Sequence, residues 1–236
     1  MRKIALAAVL PAAAAVLAFT GTSGGAAAQK KPLRWAQHDL FIETNATDRD
    51  AGLQLKLDAE DWTSLRIRDP RGRRLLDIDA RGAVRRYGLS ELFFEASEPS
   101  FDESPFRRFK RRFPEGRYTF RGRSVDGRLL AGSDTFSHVV PAGPKVTFPT
   151  KGAEVAPSGF TVTWEPVTRP AGVDIRSYIV VVVQGEREMT MDLPGDRTSV
   201  SVPGQFLEPG RKSSVEVLAR EKSGNQTITA VSFRTR

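Results

Sequence analysis

The chain has 236 residues, with 36 lysines and arginines, 28 aspartates and glutamates, and no cysteine. The lack of cysteine excludes disulfides, thiolate metal ligands and cysteine catalysis within this chain. The excess positive charge is not concentrated in one region: residues 32–143 contain 20 basic and 18 acidic side chains, and residues 144–236 contain 12 basic and 10 acidic ones. A nucleic-acid-binding protein normally has a concentrated basic surface, so we expect no nucleic-acid partner.

The chain begins with the pattern of a signal peptide at residues 1–28. A positive start and an apolar stretch that ends at Phe19 precede the small residues Ala26–Ala28, which suit a cleavage site. The alternative is a membrane anchor, but the apolar stretch is shorter than the ~20 residues that a spanning helix needs. We therefore predict an exported bacterial protein, periplasmic or extracellular, with no transmembrane segment. Residues 29–35 are expected to be a flexible start, which makes Trp35 the one tryptophan expected to be exposed.

Residues 36–140 predict a first β-sandwich. Apolar and polar residues alternate in LQLKLD (53–58) and TSLRIRD (63–69), the pattern of half-buried strands. GRYTFRGRS (116–124) and the strand that follows it are joined by VDG, a hairpin signal. Between these strands, GLSELFFEA (88–96) is predicted to be a helical insertion. The segment from Phe113 to Gly127 resembles the penultimate strand of immunoglobulin-like domains in secreted bacterial proteins, which implies an immunoglobulin-like sandwich.

A second helical insertion, SPFRRFKRRFPEG, carries the strongest charge pattern of the chain. Ser104 is a suitable N-cap and Pro105 a suitable first helical residue, while Pro114 and Gly116 end the helix. Three phenylalanines then share one face at i, i+3 and i+7, and basic residues fill the rest. The candidate anion-binding residues are Arg107, Arg108, Lys110, Arg111 and Arg112, with Arg121 and Arg123 pointing outward from the next strand.

Two interpretations of this basic helix stay open, and they are compatible. In the first, the phenylalanines pack on the sandwich and the charges are simply solvated. In the second, the basic face binds anionic lipid, lipopolysaccharide or acidic polysaccharide. Buried phenylalanines would leave the arginines free to bind.

Other chemistry has weak support in the sequence. Asp48, Asp50 and Gly52 form only half of a calcium loop. A turn with solvated aspartates is therefore the favoured interpretation, and calcium stays an open alternative; we assign no metal ligand and no cofactor. Neither G-x-S-x-G nor H-E-x-x-H occurs, and no catalytic residue is assigned. Carboxylate pairs for glycoside cleavage stay open, because their separation depends on the fold.

The segment PAGPK (141–145) predicts a linker to a second sandwich at residues 146–236. Several short alternating strands follow, separated by turn residues, as in antiparallel sandwiches. Trp164 before Glu-Pro, Tyr178 at the start of the next strand and the LEPG turn (207–210) before an alternating strand resemble a fibronectin type III domain. That resemblance implies a sandwich of that family with Trp164 in the core. Ser213 stands where the family usually has a corner tyrosine, so the tyrosine corner is expected to be missing.

The predicted fold class is thus all-β, with an immunoglobulin-like and then a fibronectin type III-like sandwich. The predicted function is that of a non-enzymatic binding or adhesion module at the cell envelope or outside the cell. Its partner would be a protein or an anionic envelope polymer, with peripheral membrane contact as one form of that binding. The alternative is an accessory or catalytic protein acting on envelope or extracellular polysaccharide. A subunit of an envelope assembly is a third option, which a long unpaired edge formed by YIVVVVQ (178–184) would support.

Overall fold

The all-β prediction is confirmed in the structure, a computed structural model that describes residues 32–236. The predicted signal peptide lies outside the described residues. The two short helices are α1 (Gly82–Tyr87) and α2 (Phe106–Arg112), and a single 3₁₀ turn covers Gly204–Phe206. The strands are β1 (Leu33–Arg34), β2 (Gln37–Asn45), β3 (Asp50–Arg68), β4 (Arg74–Asp79), β5 (Leu89–Glu95), β6 (Gly116–Ser124), β7 (Leu129–Phe136), β8 (Val146–Phe148), β9 (Glu154–Val155), β10 (Gly159–Trp164), β11 (Ile175–Gln184), β12 (Arg187–Pro194), β13 (Ser199–Pro203), β14 (Lys212–Glu221) and β15 (Gln226–Thr235).

The long strand β3 contributes to both layers of the N-terminal part. Its first half pairs with β2 and β5, and its second half pairs with β4 and β6. The strand changes register between Asp58 and Trp62, and Asp61 between them has a φ of 41°. Gly88 lies against this bend, where a Cβ atom would come within 2.5 Å of the Asp61 Cα. A glycine is therefore needed at this position, since any side chain would displace the bend.

The two halves of β3 enclose the first hydrophobic core. Leu55 from the first half and Ile67 from the second are both buried, together with Trp62 at the bend. Trp35 is also in this core, only 4% exposed and 5.9 Å from the Trp62 ring. The prediction that Trp35 is exposed is therefore wrong. The reason is that β1 pairs with β7 and carries the following tryptophan into the core.

The prediction of a helix over residues 88–96 is also wrong. Most of that segment is β5, which pairs with the first half of β3. Leu92 and Phe94 are half-buried while Phe93 between them is 42% exposed, which is the period-2 pattern of a strand. The unpaired edge of β3 provides backbone partners, and these override the helical tendency of the segment.

The C-terminal part is a two-layer sandwich around a second core. One layer is β13–β10–β8 and the other contains β12, β11, β14 and β15 in that order. Trp164 is 3% exposed and its ring lies 5.3 Å from that of Tyr178, so the predicted core position of Trp164 is confirmed. The strand that contains YIVVVVQ is paired on both sides, with β12 and with β14. It is therefore an interior strand, and the predicted support for an assembly through its edge is lost.

The two parts meet through a parallel strand pair. Residues 226–228 of β15 pair with residues 43–45 of β2, so one sheet continues across the junction. The side chain of Asn225, only 1% exposed, accepts a hydrogen bond from the Ile42 N–H at 2.7 Å and donates to the carbonyl oxygens of Ser137 and Val139 at 2.9 and 2.7 Å. These bonds fix the end of the first part against the second. The domain boundary at residues 141–145 stays a prediction.

Candidate anion-binding site

Helix α2 begins one residue later than predicted. Pro105 is its N-cap and no side chain caps its first turn, so the expected cap by Ser104 is wrong. The helix ends at Arg112, where the Phe113 N–H bonds to the Phe109 carbonyl at 2.9 Å. The last three residues of the helix, Lys110, Arg111 and Arg112, are all basic, which is the charge that the helix dipole favours at a C-terminus.

The phenylalanine face of α2 packs on the first core, as one of the two interpretations predicted. Phe106, Phe109 and Phe113 are half-buried against that core. Successive rings are 5.6 and 4.9 Å apart, and Phe101 adds a further ring 5.7 Å from Phe106. Aromatic pairs at these distances attract each other beyond their area burial. The packing of the helix on the core is thus confirmed.

Within the described part of the chain, the basic face of α2 has no ionic partners. Arg107, Arg108, Arg111 and Arg112 are exposed, and none makes an ion pair within 4.0 Å among residues 32–236. Lys110 lies over the Phe106 ring at 4.9 Å instead, a cation–π arrangement. Four neighbouring guanidinium groups therefore remain available to an anion.

Arg121 and Arg123 point outward from β6, as predicted, but they belong to a different basic group. Arg121 lies between Arg66 of β3 and Ala131 of β7, and Ala131 is paired with Arg34 of β1. Paired residues share a face of the sheet, so three arginines form a row across four strands. Asp77 on β4 is paired with Arg66 at one end of this row, and its carboxylate accepts a hydrogen bond from Arg66 at 3.1 Å.

The sequence did not reveal the contributions of Arg34 and Arg66 to this row. Arg66 was visible as an outward position in an alternating strand, but its alignment with Arg121 depends on the register between β3 and β6. Arg34 was placed in the segment expected to be flexible. In the described part of the chain, neither Arg121 nor Arg123 makes an ion pair or side-chain hydrogen bond to α2.

A cavity of about 520 Å³ lies beside α2, and the sequence did not predict it. Its lining is mostly apolar and includes three charged side chains, Glu103, Arg108 and Arg112. A second cavity of about 160 Å³ lies deeper, between the two layers. Phe113 and Ala96 line both of them.

Three carboxylates come together at a separate place. Oxygens of Glu43, Glu95 and Glu98 lie within 4.8 Å of one another. Burial raises the pKa of Glu43 to about 7; the neighbouring Glu98 and Glu95 add to this rise, while a hydrogen bond from Gln226 opposes it. These glutamates do not line either cavity. Asp48, considered for calcium in the sequence, instead lies in a turn held by the Asn45 side chain.

Comparison with known proteins bears on the C-terminal part. The model of the fibronectin type III domain family matches residues 147–235. Solved structures with some likeness include the fn3 domain of the human collagen alpha-1(XX) chain, which is 22% identical, covers 42% of this chain and 88% of that chain, and has a TM-score of 0.32. The FN1–FN3 domains of chicken CNTN1 are 11% identical over 86% of this chain and 65% of that chain, with a TM-score of 0.34.

A two-domain fibronectin type III segment from chicken tenascin is 13% identical over 84% of this chain and 99% of that chain, with a TM-score of 0.32. These structural scores are low, so the assignment depends on the family model. A search among curated protein sequences finds no match. Residues 147–235, with their two-layer sandwich and buried Trp164, therefore form a fibronectin type III domain in the C-terminal part of the chain.

Proposed function

We propose that this chain is an exported, non-enzymatic binding module of the bacterial cell envelope or extracellular space, and that it contacts anionic envelope polymers through α2. The observation that carries the proposal is the basic face of α2. Four exposed arginines that have no ionic partner among residues 32–236 are displayed there on a helix whose phenylalanines are held by the core. Fibronectin type III domains commonly serve as binding or scaffold modules, which agrees with this function.

The arrangement of the arginines favours a polymer over a single small ion. Arg107 and Arg111 form one i, i+4 pair along the helix, and Arg108 and Arg112 form another. Residues at this spacing are neighbours on a helix surface, so two parallel pairs present charge over more than one turn. The row through Arg34, Arg121 and Arg66 offers a second basic group, on strands β1, β6 and β3. A repeating anion can occupy such spaced charges together.

Export of the chain is supported by the signal-peptide pattern of residues 1–28. No helix in residues 32–236 is long and apolar enough to cross a membrane. A surface contact by the exposed arginines of α2 is the form of membrane association that the proposal includes. Each basic residue near an anionic surface contributes about 1 kcal/mol.

The test is binding of the mature chain to lipopolysaccharide and to an acidic polysaccharide across a salt series, with neutral dextran for comparison. One variant replaces four arginines of α2 by glutamine: Arg107, Arg108, Arg111 and Arg112. A control variant removes four exposed charges from the C-terminal part: Lys151, Arg169, Arg176 and Arg197.

We expect the α2 variant to lose at least about tenfold in affinity, because its four charges each contribute near the polyanion. The control variant should bind like the original chain, and added salt should weaken binding by screening. Both variants should melt as the original does, since the substituted side chains are exposed. Equal losses in the two variants, or no binding at low salt, would contradict the proposal.

Cleavage of polysaccharide is a second candidate function, favoured by the carboxylate group of Glu43, Glu95 and Glu98. Glycosidases use two carboxylates, one of which has a raised pKa. The pKa of Glu43 is raised in this way. The test is release of reducing ends from acidic polysaccharide by the original chain and by a Glu43→Gln, Glu95→Gln variant. Release that disappears in the variant would favour the enzyme, and no release by the original chain would remove this candidate.

A further inference from the structure

Two neighbouring cavities lie beside α2 and differ in polarity. The larger, outer cavity has charged residues in its lining, and the smaller, inner cavity is lined only by apolar residues. The outer cavity, of about 520 Å³, lies between α2 and the segment that follows β5. A volume of this size is typical of small-molecule sites. The inner cavity adds about 160 Å³ between the two layers.

The outer cavity has an apolar wall and a polar rim. Its wall includes Ala51, Phe101 and Phe109, while Arg108 and Arg112 contribute to its lining from α2. Glu103 is the one acidic side chain among its lining residues. The two arginines therefore outnumber the single carboxylate. The charge of the lining is complementary to a ligand with one anionic group.

The inner cavity has no polar side chain in its lining. It is enclosed by aliphatic and aromatic residues, namely Leu40, Leu53, Leu55, Ile67, Leu75, Leu76, Phe94, Ala96 and Phe113. An apolar cavity of about 150 Å³ holds a group the size of benzene, so this volume accommodates roughly six carbon atoms. Ala96 and Phe113 line both cavities, so the junction between the two cavities is at these side chains.

We propose that the paired cavities bind a single-chain anionic amphiphile. The anionic head, a carboxylate or a phosphate, is held by Arg108 and Arg112, because guanidinium groups bind both anions through paired hydrogen bonds. The hydrocarbon tail lies along Phe101 and Phe109 and passes Ala96 and Phe113 into the inner cavity.

This proposal does not depend on polymer binding, because α2 divides its charges between two faces. Arg108 and Arg112 line the outer cavity, whereas Arg107 and Arg111 do not. Two double variants therefore separate the sites at equal loss of charge. Arg108→Gln, Arg112→Gln removes the head contacts, and Arg107→Gln, Arg111→Gln leaves them in place.

The experiment is isothermal titration calorimetry of the mature chain with dodecanoate, dodecyl phosphate, dodecanol and dodecyltrimethylammonium, each below its micelle concentration. We expect one dodecanoate per chain, with dodecanol and the cationic amphiphile binding about tenfold more weakly or not at all. Dodecyl phosphate tests which head group is preferred. Among shorter fatty acids, each loss of two carbons should weaken binding by roughly tenfold, because less apolar surface is buried.

Variants then locate the site. Arg108→Gln, Arg112→Gln should weaken dodecanoate binding by about tenfold, while Arg107→Gln, Arg111→Gln should leave it unchanged. Ala96→Leu should abolish binding by filling the junction, yet keep lipopolysaccharide binding and the melting temperature. Should Ala96→Leu fail to fold, the shift of the Ala96 methyl signal in the NMR spectrum during titration of the original chain decides the matter.

The proposal is overturned by equal binding of anionic, neutral and cationic amphiphiles, by binding of many molecules per chain, or by an unmoved Ala96 methyl signal. It is likewise overturned by equal effects of the two arginine pairs. Loss of lipopolysaccharide binding in the Arg107, Arg111 variant alone would leave the amphiphile site intact. Failure of one site is therefore distinguishable from failure of the other.

Discussion

The two sandwiches fix the same kind of corner with different residues. In the N-terminal part, the Tyr118 hydroxyl donates to the Pro114 carbonyl at 3.1 Å, four residues earlier. In the fibronectin type III domain, Ser213 occupies the position where the family usually has the tyrosine. There the side chain of Gln184 accepts a hydrogen bond from the Glu208 N–H at 2.6 Å and donates to the Ser213 hydroxyl at 2.9 Å. The predicted absence of a tyrosine corner in the second domain is confirmed, and its replacement is a glutamine.

The difference teaches that a corner bond can be supplied locally or from a neighbouring strand. Tyr118 spans the corner by itself, because its ring is long and packs 5.4 Å from the Phe136 ring. A serine is too short for that, so a longer side chain must arrive from elsewhere. Gln184 is paired directly with Ser213 in the register of β11 and β14. The second corner therefore depends on strand pairing, while the first depends on the five consecutive residues from Pro114 to Tyr118.

The largest expected effect concerns Glu43, where the two parts join. Its pKa is about 7 in the folded chain, above the ordinary value of 4.5, because it is buried. The folded state thus holds this proton more tightly than the unfolded state. The stabilisation is fully present below pH 4.5 and is lost as the pH rises through 7, by up to about 3 kcal/mol.

Urea unfolding of the original chain and of Glu43→Gln between pH 4.5 and 8 measures this effect. The variant, which has no proton to lose at this position, should be more stable than the original chain at pH 8 and should differ little at pH 4.5. If the two sandwiches unfold as one cooperative unit, both should show the same change in stability with pH. Identical pH profiles of the two proteins would contradict the prediction.

The next effect concerns the second corner. Gln184→Met keeps the size of the side chain but leaves the Glu208 N–H without its partner, so we expect a loss of about 2 kcal/mol in the free energy of unfolding. Chemical denaturation measures it. A Gln184→Ala, Ser213→Tyr double variant should be more stable than Gln184→Ala alone, because it restores a tyrosine at the family's usual position. A loss in the double variant equal to the sum of the single losses would mean that the two positions do not substitute for each other.

The smallest effect concerns the first corner. Tyr118→Phe removes one hydroxyl and one hydrogen bond, and keeps the ring packing, so we expect a loss of about 1 kcal/mol. Thermal and urea unfolding measure it, with Tyr87→Phe as a control on an 85% exposed tyrosine. A larger loss than in Gln184→Met would reverse the ranking of the two corners.

The sequence predicted α2 well because its signal is local. The positions of three phenylalanines define one face of a helix, and that face packs on the core as expected. The sequence failed at residues 88–96 and at Trp35, since both outcomes depend on strands that provide open backbone partners. β5 pairs with β3, and β1 pairs with β7. Neither partner is close in the sequence.

The amino-acid sequence by itself determined the all-β class, the fibronectin type III domain and the basic character of α2. Each of these follows from alternation, turn residues and helical spacing within short segments. Only the tertiary structure decided the row through Arg34, Arg66 and Arg121, the Gln184 corner and the cavity bordered by Arg108 and Arg112. These features depend on strand register and on the space left between packed layers, and both are set by contacts between residues far apart in the chain.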